Sequence, residues 1–208
     1  PRQQDRTRAR SPALRIRMYR LGIGDCFLLT LPGKQGQPFH LLLDCGIHAA
    51  EPDGKSRINR AVADILEETK CQLDAIVGTH EHWDHLSGFL HAKDRFAECH
   101  AREIWCAWTE NLADPDAKRL IAVRDKGVKA LWGASARLAL TEHSGDDARA
   151  RNRDAVLGFF GESPGTGRKA KDAAEAMRAL VGSNDAIRYL SPGDPPIEGP
   201  GWRIFVLG

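Results

Sequence analysis

Three histidines and an aspartate fall within six residues, His80-Glu81-His82-Trp83-Asp84-His85, directly after an apolar run over residues 73–77. No other feature constrains the chain as much. Imidazole nitrogen and carboxylate oxygen are the usual donors to zinc and similar divalent ions. In a loop at the end of a strand, alternate residues converge on one point. His80 and His82 are then placed to share one ion, while Asp84 and His85 turn toward a second. Two such ions activate water and clamp a leaving oxygen. The competing reading is a polar surface loop. Against it stands the position of the cluster, where a strand hands over to a helix, which is where layered α/β folds bind ligands.

The pattern on either side of the cluster is mixed α/β. Residues 14–18 alternate apolar and charged side chains, as a half-buried strand does. Leu21-Gly22-Ile23-Gly24-Asp25 is a glycine loop, 26–31 a second strand, 32–37 turn chemistry and 39–43 a third strand, which together predict an antiparallel meander. A helix is expected over 59–69, a strand over 73–77, a helix from about Ser87 to Phe96 and a strand over 103–108. The longest helical pattern covers 114–140, with Asp114 and Pro115 suited to the cap and first helical position. Further helices are expected over 146–160 and 172–181, with a linker over 163–167 between them. Strands at 187–190 and 203–207 close the pattern, on either side of a turn-rich stretch over 191–201.

Composition excludes two classes. With 42% hydrophobic and 28% charged residues, the chain is too apolar for disorder and too charged for an integral membrane protein. There is no run of about 18 apolar residues, so no membrane partner is expected. At 208 residues one domain is the natural expectation: a basic tail over 1–13 and a single folded unit over 14–208. The five cysteines form no Cys-x-x-Cys pair and fit a reducing, cytoplasmic setting. The first 20 residues hold seven arginines and one acid, a charge of +6. Such an arm binds nucleic acid by neutralising phosphates. Without an aromatic residue among its first ten positions, a solvated tail is the favoured reading.

The motif His80–His85, followed by Leu86-Ser87-Gly88, resembles the signature of the metallo-β-lactamase fold superfamily. Gly22-Ile23-Gly24-Asp25-Cys26 and Leu41-Leu42-Leu43-Asp44-Cys45-Gly46 resemble the opening strands of the branch that holds the hydrolase domain of competence-type DNA-uptake proteins. The resemblance covers about residues 14–106. It leaves 112–182 as a helical insertion that lids or borders the site, and 186–208 as a return to the core sheet. It implies an αβ/βα sandwich, here its N-terminal part, with two mixed sheets face to face and helices outside.

The resemblance also implies roles. His80 and His82 would hold a first metal, and Asp84 and His85 a second. Asp84 would also orient the nucleophilic water, which makes it the expected catalytic residue. Asp44 would be the buried acid that steadies the loop from behind. Asp25 would line the cleft or simply form a Gly-Asp turn. Two zinc ions are the implied cofactor, with manganese or iron as alternatives. The implied reaction is hydrolysis by a metal-bound hydroxide, on a phosphodiester in a small molecule or a nucleic acid. Amide, lactone or thioester hydrolysis is the second reading, and a non-catalytic metal-stabilised module the third. A two-ion site needs further ligands. Of His91, His100 and His143, only His143 is a candidate, and it reads better as a helix-terminal residue. The remaining ligands are expected beyond Gly208.

Overall fold

The computed structural model describes residues 14–141, 152, 157–159 and 169–207. A six-stranded sheet organises them, in the spatial order β1 (Arg15–Met18), β2 (Cys26–Pro32), β3 (Pro38–Cys45), β4 (Gln72–Gly78), β5 (His100–Ala107) and β6 (Ile187–Leu190). The first three strands are antiparallel, as short connections allow. From β3 onward the pairing is parallel, so each step crosses over through helices. Helix α1 (Gly54–Thr69) links β3 to β4, and α2 (Trp83–His91) with α3 (Lys93–Phe96) links β4 to β5. The connection from β5 to β6 contains α4 (Pro115–Thr141) and α5 (Lys169–Arg178).

One face of the sheet carries the main core. Leu28, Leu42, Ile76 and Ile104 meet Val62 and Ile65 of α1, Leu86 and Phe89 of α2, and Ala173, Ala174 and Met177 of α5. Each aliphatic or aromatic side chain buried this way stabilises the fold by about 1.5–3 kcal/mol. The opposite face carries Leu41, Ala75 and Trp105, covered by a two-stranded antiparallel sheet of β7 (Ile197–Gly199) and β8 (Trp202–Ile204). Trp202 ties the small sheet down through Phe39, at 5.1 Å between ring centroids, and through an Nε1–H bond of 2.7 Å to the Pro32 carbonyl. The described residues thus form a mixed α/β fold, with helices on one face of the large sheet and the β7–β8 hairpin on the other.

Several local expectations shift. The strand expected over 203–207 is shorter, and it pairs with β7, which lies inside the stretch read as turns; the chain reverses between them through Gly201 at φ +81°. Helix α2 starts at Trp83, four residues before Ser87, because His82 takes the extended cap conformation and the metal motif itself forms the first turn. Strand β1 reverses its polarity. Its arginines face α1, where Arg17 meets Asp64 at 2.7 Å and both Arg15 and Arg17 pair with Glu68, while Leu14, Ile16 and Met18 face outward. The last helix of the stretch read as an insertion, α5, packs against α2 in the main core. Among the described residues, no helix is long and apolar enough to cross a membrane. The basic tail over 1–13, His143, most of the 146–160 helix and the linker over 163–167 lie outside the described residues.

Candidate metal centre

Three glycines let separate segments approach closely around the motif. A Cβ on Gly46 would sit 2.4 Å from the Asp84 carbonyl and from His85 backbone carbon. Gly24, at φ +138°, would put a Cβ 2.5 Å from the Gly46 carbonyl oxygen and 2.7 Å from that of Asp84. One on Gly88 would lie 2.5 Å from Cys45. No side chain fits at any of the three. Backbone bonds close the arrangement: Asp25 N–H donates to the Asp84 carbonyl at 3.2 Å, and Gly46 N–H to the Asp25 carbonyl at 3.0 Å. Ser87 Oγ accepts from Ile47 N–H at 2.9 Å and donates to the Ile47 carbonyl at 3.1 Å. The β1–β2 loop, the end of β3 and the first turn of α2 therefore form one unit.

Asp44 sits at the centre of that unit, 2% exposed and at φ +53°. A buried carboxylate needs donors, and it has three. Thr79 N–H reaches Oδ1 at 2.9 Å, the Thr79 hydroxyl reaches Oδ2 at 2.7 Å, and His85 Nδ1 lies 2.9 Å from Oδ2. These bonds fix proton positions. A hydroxyl has one hydrogen, so Thr79 Oγ1, having donated to Asp44, accepts from His80 Nδ1–H at 3.0 Å. His80 Nε2 is then a lone pair. By the same logic the neutral form of His85 carries its proton on Nδ1 and presents Nε2 as a lone pair.

The three rings cluster. His80 Nε2 lies 3.1 Å from His82 Nδ1, and the His80 ring lies 4.4 Å from that of His82 and 4.0 Å from that of His85, centroid to centroid. His85 Nε2 lies 3.5 Å from Asp84 Oδ2. Asp84 is buried, and its Oδ1 has no hydrogen-bond partner among the described residues. A buried carboxylate oxygen without a donor is costly. A cation held by Asp84 and neighbouring imidazole nitrogens would remove that cost, and carboxylate with imidazole is a donor set that suits a divalent ion.

Protonation follows the same geometry. Burial holds His80 below the ordinary histidine value, and the neighbouring His85 and His82 add to the shift. Burial also lowers His82, with His85 and Arg124 adding and Asp84 opposing. Both are thereby kept in the neutral form that ligates metal. His85 moves the other way: burial lowers it, but the Asp44 hydrogen bond and the charges of Asp44, Asp84 and Asp25 outweigh burial and raise it.

A second grouping lies on the Nδ1 side of His85. Asp25, Asp44 and His85 each offer a donor atom within 4.8 Å of the others, with Asp25 Oδ2 3.6 Å from His85 Nδ1. Both oxygens of Asp44 already accept bonds there, so this side serves better to orient His85 than to hold an ion of its own.

The sequence profile of the metallo-beta-lactamase superfamily matches residues 19–167. The chain belongs to that superfamily. No curated protein matches it. The metallo-beta-lactamase match continues past residue 106, where the motif-based resemblance stops, into the helical stretch. In this superfamily member His80 lies against His82 and His85, and His85 against Asp84, with Asp44 on the Nδ1 side of His85. His91 packs edge-on against Trp83 at 5.2 Å, and His100 is exposed at the start of β5. Trp105 is buried on the far face of the sheet. Cys99 and Cys106 are buried free thiols.

Some contributors carry no signal in the sequence. Thr79 is the residue that sets the tautomer of His80. Phe159 donates nothing chemical, but its carbonyl accepts from Trp83 N–H at 2.6 Å, and its ring lies 6.2 Å from His82 and 4.9 Å from His48.

Proposed function

We propose that this metallo-beta-lactamase superfamily protein is a zinc-dependent hydrolase that cleaves phosphodiesters. The observation that carries the metal reading is the approach of His80 Nε2 to His82 Nδ1 at 3.1 Å, with Asp84 buried against His85 Nε2 and its Oδ1 unpartnered among the described residues. His80, His82, Asp84 and His85 would hold the metal. When bound, divalent ions lower the pKa of water toward about 7 and polarise the bond to be broken. The protein's own residues set the stage. Asp44 and Thr79 keep the proton of His80 on Nδ1 and that of His85 on Nδ1, so both rings offer Nε2 to the site. Asp84 offers a carboxylate oxygen free to orient a nucleophilic water. The 157–159 segment borders the site through Phe159.

The choice of a phosphodiester rests on resemblance alone: the glycine–aspartate landmarks resemble those of DNA-uptake-type hydrolases. Amide, lactone and thioester substrates are the alternative on the same fold. A substrate panel tests the reading. Zinc-loaded protein is expected to hydrolyse bis(p-nitrophenyl) phosphate faster than a β-lactam, a lactone or a thioester. His82→Ala is expected to lower zinc content and remove the activity together, with Asp84→Asn losing activity while keeping more zinc. Turnover of a lactone or thioester with none of the phosphodiester would replace the substrate assignment. Unchanged zinc content in both variants would remove the metal assignment.

A further inference from the structure

Glu81 and Trp83 are the two residues of the motif with no expected role, and Glu81 is held by two arginines. Residues 80 and 81 form a bend before α2, closed by His82 N–H donating to the His80 carbonyl at 2.9 Å, and His82 then takes the extended cap conformation. His80 and His82 converge on one side. Glu81 points to the other, into the layer formed by α4 and α5, where its side chain is 11% exposed. Arg124 of α4 reaches Oε2 at 3.1 Å, and Arg178 of α5 reaches Oε1 at 3.0 Å. Arg178 also holds Glu110, at 2.7 Å, in the 3-10 turn after β5. On the other flank Arg124 approaches Asp125 at 3.5 Å, and Lys171 of α5 pairs with Asp125 at 2.7 Å. The result is one run of alternating charges, Lys171, Asp125, Arg124, Glu81, Arg178 and Glu110, that threads two helices, a turn and the metal loop.

We infer that Glu81 is a positioning residue through which α4 and α5 hold His80 and His82 in ligating geometry. This rests on the metal reading above and goes beyond it, because it assigns a task to helices that supply no ligand. A carboxylate fixed by two guanidinium groups cannot rotate without leaving charges buried and unpaired, so the backbone between the two histidines is pinned from behind. Groups behind the ligands commonly govern metal affinity about 10- to 100-fold.

The test is zinc affinity of the full chain, measured by competition with a chromophoric chelator, alongside thermal unfolding of the metal-free protein. Glu81→Gln is expected to weaken zinc binding about 10- to 100-fold. Arg124→Gln should weaken it less, since Arg178 remains, and Arg124→Lys should restore part of the loss. The Glu81→Gln/Arg124→Gln double variant should bind no more weakly than Glu81→Gln alone, because both changes break one interaction. A purely structural role would lower the unfolding temperature of the metal-free chain and leave zinc affinity at the wild-type value; that result would overturn the inference. If Glu81→Gln does not fold, Arg124→Gln alone decides, since Arg124 is part-exposed, and unchanged affinity there would also overturn it. His82→Ala separates the two claims. Wild-type zinc binding by His82→Ala would remove the site itself and this inference with it. Loss of zinc in His82→Ala beside wild-type affinity in Glu81→Gln would remove the inference alone.

Discussion

Asp44 Oδ2 and His85 Nδ1 lie 2.9 Å apart, and the same carboxylate accepts both the backbone and the hydroxyl protons of Thr79. One buried acid at the end of β3 thus orders the tautomers of two histidines in the loop and helix turn that follow β4. Asp44→Asn keeps the shape but puts an amide N–H₂ against at least one donor. Zinc affinity is expected to fall about 10- to 100-fold, with the fold retained. A competitive zinc titration of the purified variant, checked by circular dichroism, measures this; wild-type affinity would mean that His85 needs no such partner.

The close approach of Gly46 to α2 predicts a stability difference between two glycines. A methyl group at Gly46 meets Asp84 and His85 backbone at 2.4 Å, and backbone does not give way cheaply. Gly46→Ala is expected to cost at least about 1–3 kcal/mol. Gly127, in the middle of α4, has nothing within 4 Å of the same added atom, and Gly127→Ala is expected to gain about 0.5–1 kcal/mol through helix propensity. Urea denaturation of both variants reads the difference. Equal stabilities would show that the glycine landmark does not mark a packing contact.

Glu110 predicts a pH dependence. Burial, with Glu81 nearby, pushes its carboxyl from 4.5 up to about 7, against the pull of Arg178 and Arg124. An acid raised in this way keeps its proton in the folded chain where the unfolded chain has lost it. Between about pH 4.5 and pH 7 rising pH therefore removes stability, by an amount on the order of 3 kcal/mol. Glu110→Gln carries no ionisable group there. In metal-free protein, the stability difference between pH 5 and pH 8 should shrink in Glu110→Gln relative to wild type. The same difference in both proteins would contradict the assignment.

What the sequence makes legible is local. The apolar run before Thr79, the histidine spacing and the glycine landmarks can each be read within a few residues, and they point to one strand end. The alternation in β1 is legible too, but not which face turns inward. Arg15 and Arg17 are satisfied by Asp64 and Glu68, acids roughly 50 positions further on, so the charged face is the covered one. The start of α2 is obscured because His82 stands where a serine, threonine or aspartate would normally mark a cap, and it forms no side-chain cap bond. The role of Glu81 is invisible for the same kind of reason. Arg178 lies 97 residues along the chain, on a helix whose sequence reads only as amphipathic. Partnerships made by the fold leave no spacing to read.

An ion held among His80, His82, Asp84 and His85 would be seen by anomalous diffraction at the zinc absorption edge, from crystals of the zinc-loaded full chain. The expected result is an anomalous peak about 2.0–2.2 Å from His80 Nε2, His82 Nδ1 or both, with an Asp84 carboxylate oxygen or His85 Nε2 completing the shell. A peak confined to the Asp25–Asp44–His85 grouping, on the Nδ1 side of His85, or no peak near the motif, would contradict it.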